Sequence, residues 1–256
     1  DKYQWTMRRL GDLRSDAGRP TAALSSYRAG VDTAIELAQA EPNDTRLQRD
    51  ASLLLARLGS AQRQNGDLDG AQASLRAALA KAQVLARNNP SDAGLQADEA
   101  SILTDLGTVT EALGDLTAAQ SHYQAALALR QRQFDASPND HFRKIDLAHA
   151  HELISGIQQD QGDLAGALQS RRTVLKLTEE AAKARPDNRH AQLRLAAAQR
   201  DLGGVEITRG DAERGYELIR SARSSLADLV RDAATLEADV NAFQSLRLGD
   251  VLMVGT

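Results

Sequence analysis

Residues 58–92 read LGSAQRQNGDLDGAQASLRAALAKAQVLARNNPSD, and this stretch decides the fold because it comes back. Its fixed points are Leu58-Gly59, Gly66-Asp67, Ala71 and Pro90-Ser91-Asp92. A step of 48 residues forward gives Leu106-Gly107, Gly114-Asp115, Ala119 and Pro138-Asn139-Asp140. The next step gives Ile154-Ser155, Gly162-Asp163, Ala167 and Pro186-Asp187-Asn188, and the one after it Leu202-Gly203, Gly210-Asp211 and Gly215. Backwards, the same step lands on Leu10-Gly11, Gly18, Ala23 and Pro42-Asn43-Asp44. Five copies align without insertion or deletion. A fixed period of this size marks a supersecondary unit that is stacked many times.

Each unit reads as two helices. Leu47, Ala51, Leu54, Leu55 and Leu58 recur at helical spacing, with Arg46, Arg49 and Arg57 between them. Asp44 precedes that pattern, where its carboxylate can accept from the first free backbone N–H groups; Asp92, Asp140 and Asn188 are its equivalents. Pro42, Pro90, Pro138 and Pro186 stand two residues earlier and stop the preceding helix. Gly66 ends the first helix in a left-handed conformation, and Asp67 caps the second, which carries Leu68, Ala71, Leu75, Ala78, Leu79, Ala82, Leu85 and Ala86. The pattern predicts helices near 1–17, 20–39, 44–64, 67–87, 92–112, 115–135, 140–160, 163–183, 188–208 and 211–232. Gly59, Gly107 and Gly203 fall inside helices, where glycine costs about 1 kcal/mol against alanine. Close approach of a partner helix explains them, with Ala71, Ala119 and Ala167 as the expected opposing surfaces.

Composition fits this plan. Apolar residues make up 42% of the 256 and aromatics only 3%, so the core is built from small and branched aliphatic side chains. Net charge is -4 with both signs interspersed, and the clustered basic surface that nucleic acid requires is missing from the pattern. There is no cysteine, which removes disulfides and thiolate metal sites. No apolar run reaches membrane-spanning length and no secretory signal opens the chain, so the expectation is a cytoplasmic location without membrane contact. Because Asp1 rather than Met comes first, the chain reads as a segment of something longer.

Leu58-Gly59, Gly66-Asp67, Ala71, Ala78 and Pro90 together resemble the tetratricopeptide repeat, over nearly the whole chain. Two departures stand out: the period is 48 rather than about 34 residues, and the family's Trp and Tyr positions hold Leu55 and Gln62, or Leu103 and Thr110. The resemblance implies an all-α solenoid, a right-handed superhelix of five helix-turn-helix repeats (1–43, 44–91, 92–139, 140–187 and 188–235) plus a capping or truncated helix over 236–256. Long-period repeats of this kind look like those of bacterial signalling proteins. The implied function is a protein-interaction or scaffolding module, regulatory within a larger signalling protein. The alternative is a sensor array for a peptide or small ligand, controlling an attached effector domain.

Candidates for chemistry are few. His149 and His151 lie two apart and point in different directions on a helix, while His122, His141 and His190 have no partner at helical spacing. No phosphate loop, nucleophile elbow or zinc motif is present, so neither catalysis, metal nor cofactor is expected. The resemblance assigns the concave, partner-binding face to the first helix of each repeat. Carried over position by position, it selects Trp5, Arg8, Asp12, Asp16, Arg63, Thr104, Thr108, Glu111, His149, Glu152, Asp160, Arg200 and Arg209. The Lys–Asn clamp by which some relatives hold a C-terminal carboxylate has no counterpart at these positions. Arg63 and Glu111 stand one period apart, as do Glu152 and Arg200, with Asp160 and Arg209 one residue off, so stacking is expected to let each pair neutralise itself; the alternative is that they stand apart to clamp a mixed-charge peptide. The apolar stripe from Leu246 to Val254 is expected to meet another chain or a neighbouring domain.

Overall fold

The computed structural model describes residues 2–231, and within them every regular element is a helix. In order these are α1 (Lys2–Asp16), α2 (Pro20–Ala40), α3 (Thr45–Gln64), α4 (Leu68–Asn88), α5 (Ala93–Ala112), α6 (Leu116–Ala136), α7 (His141–Asp160), α8 (Leu164–Ala184) and α9 (Arg189–Arg209). A further helical run, α10, covers 212–231. The expected stripe from Leu246 to Val254 lies outside the described residues. The chain divides into two compact units, Asp1–Gln161 and Gly162–Thr256, and within each of them consecutive helices pack together.

The helix ends follow the residues that were expected to set them. Asp44 accepts from the backbone N–H groups of Arg46 at 2.8 Å and Leu47 at 3.1 Å. Asp92 and Asp140 repeat this on α5 and α7, and Asn188 caps α9 through Ala191. Asp67, Asp115 and Asp163 each accept from the N–H three residues on, at 2.9 Å. Each such cap stabilises its helix by about 1 kcal/mol. Between the paired helices, Gly66 and Gly114 take φ values of 82° and 87°. A Cβ there would meet nothing within 4 Å, so the backbone angle rather than lack of space selects glycine.

Inside the helices the demand is reversed. A Cβ on Gly59 would lie 2.7 Å from Cγ of Leu75 and 3.1 Å from the carbonyl oxygen of Ala71, as the close-approach reading requires. At Gly107 the opposing surface differs from the expectation. The ring of Tyr123, not Ala119, fills the space, with its Cε1 2.5 Å from where a Cβ would stand. Tyr27 covers Gly11 in the same way. At Gly203 the neighbour is backbone again, the Gly215 carbonyl at 2.7 Å, so glycine replaces the alanine of the other copies where two main chains cross.

The core of the first unit joins Ala23, Tyr27, Leu54, Ala71, Leu75 and Leu106 across α2 to α5, with Ala119, Tyr123, Ile154 and Ile157 continuing it between α6 and α7. In the second unit Ala167, Leu168, Leu202 and Val205 pack between α8 and α9. Glu206 is fully buried there and held by Arg172 at 3.0 Å and Arg214 at 3.6 Å.

Candidate partner-binding groove

Two grooves open on the exposed side of the first helices of the first unit. One, of about 500 Å³, is lined by Trp5, Arg8, Arg9, Asp12, Leu53 and Arg57 on α1 and α3. Trp5 is 56% exposed, whereas Tyr27 and Tyr123 are packed in the core. Helical spacing explains the arrangement, since Trp5, Arg8 and Asp12 fall on one stripe of α1.

The charges of this groove are bridged across helices. Arg57 reaches Asp12 at 3.8 Å, and Arg8 reaches Asp50 at 3.9 Å, while Gln4 also donates to Asp50 at 3.2 Å. Further along, Arg49 and Asp98 meet at 2.6 Å. From behind, the buried Tyr27 hydroxyl donates to Asp12 at 2.8 Å. Burial pushes the Tyr27 phenol well above its ordinary pKa, and its bond to the Asp12 carboxylate adds to that. Tyr123 repeats the device two repeats on, donating to Glu111 at 2.7 Å and approaching Thr108 at 3.2 Å. Glu111 is thus engaged by a tyrosine, and among the described residues it forms no ion pair with Arg63. Arg63 and Glu111 thus do not neutralise each other as expected, and the carboxylate is held by a hydroxyl of the second helix instead.

The second groove, of about 220 Å³, is lined by Ser101, Thr104, Asp105, Arg130, Asp146, His149 and Ala150. Arg130 holds Asp146 at 3.0 Å and donates to Ser101 at 2.8 Å, which ties α6 to both α7 and α5. Burial raises the pKa of the Asp105 carboxyl, with Arg63 and Arg57 opposing the shift only through space. His149 is exposed, whereas His151 is partly buried with its Nδ1 lacking a hydrogen-bond partner, and desolvation lowers its pKa.

Of the residues selected from sequence, Trp5, Arg8 and Asp12 share the first groove, and Thr104 and His149 share the second. Thr108 and Glu111 are joined through Tyr123, while Asp16 and Arg63 are exposed in the last turns of α1 and α3. Glu152 is half-buried on α7, and Asp160 is exposed at that helix's end. In the second unit Arg200 pairs with Asp201 at 2.7 Å, and Arg209 is exposed at the end of α9. Sequence reasoning missed Arg57, Asp105, Arg130 and Asp146. A signal for two of them existed: the position shared by Arg9, Arg57, Asp105, Leu153 and Asp201 is charged in four of five copies.

No protein-family model matches the chain, and no curated protein matches it in sequence. Solved structures with a similar fold include BtubC (BKLC) from P. vanneervenii, at a TM-score of 0.66 and 20% identity over 86% of this chain and 78% of that one. They also include the putative kinesin light chain TPR-like repeats of Podosopora anserina, at 0.58 and 14% identity over 88% and 95%. The apo form of RapI aligns at 0.62 and 12% identity over 94% of this chain and 58% of that one. Identities this low speak for architecture alone. Among the described residues no helix is long and apolar enough to cross a membrane. The helix pairs, their glycine turns and these likenesses together give the chain the all-α fold of tetratricopeptide-type repeats.

Proposed function

We propose that this chain is a non-catalytic interaction module that holds a protein or peptide partner along the first helices of its first unit. The observation that carries this reading is Trp5, an indole 56% exposed above a groove of about 500 Å³. Exposed tryptophan beside arginine is the composition that dominates binding energy at protein interfaces. The paired charges around it, Arg8 with Asp50 and Arg57 with Asp12, leave a rim suited to a polypeptide of mixed charge. A regulatory role within a larger signalling protein, in a cytoplasmic setting, is the finer form of the proposal, and it rests on the likeness of the repeats.

Affinity capture with the whole chain, compared with a Trp5→Ala, Arg57→Glu double variant, tests it. The proposal expects partners retained by the wild type to be lost from the variant while far-UV circular dichroism and melting stay unchanged. Equal capture by both proteins removes the α1–α3 groove from consideration.

A further inference from the structure

The second groove is unbalanced in charge. Its cation, Arg130, is spent on the walls: one guanidinium nitrogen meets Asp146 at 3.0 Å, and the other donates to Ser101 at 2.8 Å. Thr104 gives its hydroxyl proton to the Ala100 carbonyl at 3.0 Å, so its oxygen remains only an acceptor towards the groove it lines. Asp105 lines the same space, and among the described residues it makes no hydrogen bond or ion pair. The nearest cations on α3, Arg57 and Arg63, act on it only at longer range. Its equivalents elsewhere avoid this state. Arg9 is exposed to solvent, Arg57 is paired with Asp12, Leu153 carries no charge, and Asp201 is held by both Arg171 and Arg200.

A half-buried carboxylate without a partner weakens the folded state. Here it stands in an open groove with a spare acceptor beside it and one net negative charge among the groove's arginine and two aspartates. A guest that matches is cationic and rich in N–H donors. The space, about 220 Å³, is below the ~300–1,000 Å³ of drug-sized ligand sites and suits the end of one side chain. We propose that this groove receives a lysine or arginine side chain of the partner, with Asp105 as its counter-ion. The proposal rests on the partner-binding reading above and adds what the partner must carry.

The test uses the whole chain, labelled with nitrogen-15, titrated with Nα-acetyl-lysine methylamide and Nα-acetyl-arginine methylamide. Nα-acetyl-norleucine methylamide and calcium chloride serve as controls. The expected result is saturable shifts of the amides of Thr104, Asp105 and His149 with a basic probe and with neither control. In Asp105→Asn, which keeps the shape and removes the charge, affinity should weaken by roughly tenfold or more. Melting confirms that the variant folds. Equal shifts with norleucine or calcium, or unchanged affinity in Asp105→Asn, overturn the proposal. If Asp105→Asn still captures the wild type's partners at equal affinity while Trp5→Ala, Arg57→Glu does not, the basic-residue site fails and the interaction module stands.

Discussion

Gly203 and Gly204 are neighbours on α9, and adding one methyl group to each should change stability in opposite directions. At Gly203 a Cβ would stand 2.7 Å from the carbonyl oxygen of Gly215 and 2.9 Å from Cγ1 of Ile219. Both lie on α10, and the first is main chain, which cannot swing aside as a side-chain end can. The two helices must separate by several tenths of an ångström, an overpacking cost of about 1–3 kcal/mol, against a gain of about 1 kcal/mol in helix propensity. At Gly204 nothing lies within 4 Å, so only the propensity gain remains, helped by the lower entropy of the unfolded chain. The pair should therefore differ by about 1–3 kcal/mol with Gly204→Ala the more stable. With a urea m-value of about 1–3 kcal/mol per molar, that separates the midpoints by roughly 1 M in circular dichroism. Helical repeats can unfold in parts, so amide exchange of α9 supplies the local reading. Equal midpoints, or Gly203→Ala the more stable, would refute the claim that backbone contact selects this glycine.

Alkaline titration should reveal the two buried tyrosines. Their folded-state pKa values are raised above the ordinary ~10, so their contribution is intact below that pH and lost as pH climbs through it. A Tyr27→Phe, Tyr123→Phe double variant should unfold less steeply above pH ~10, while losing about 1 kcal/mol per hydroxyl at neutral pH. His151 has the opposite sign: its pKa is lowered by desolvation, so the unfolded chain takes up the proton first and stability falls as pH drops below ~6.5. Replacing it with leucine, as in Leu55 and Leu103 at the equivalent positions, should raise stability by about 1–3 kcal/mol and flatten the acid side of the melting-temperature profile.

Nearly all of the fold was legible because the residues that set it act locally. Asp44 and Asp67 cap helices through N–H groups two or three residues away, and Gly66 turns the chain by its own backbone angle. Such residues give the same signal wherever they stand, and a fixed period repeats the caps four times and the turn glycine five. The opposing surfaces of the helical glycines were less legible. Leu75, Tyr123 and Ile219 occupy one repeat position, yet each fills a different volume over Gly59, Gly107 and Gly203. The small side chain that the period predicts as a contact, Ala119, yields to the ring because packing is decided by size, not by register.

The site was legible only in its outline, and for a physical reason. Carrying positions over from a resemblance selects residues by where they stand on one helix, whereas the character of a groove is set by which partners reach it from others. Glu111 and Asp105 both lie on α5, and both are carboxylates on the side of the groove-lining positions. Tyr123 reaches Glu111 from α6, so that carboxylate is satisfied by the scaffold. Asp105 sits where Arg57 and Asp201 stand in other copies, and the arginine that lines its groove, Arg130, is already committed to Asp146. Which of two carboxylates belongs to the scaffold and which is open to a partner is therefore decided by a second helix and its next neighbour. A period read along one chain marks the candidates, and the pairing across helices selects among them.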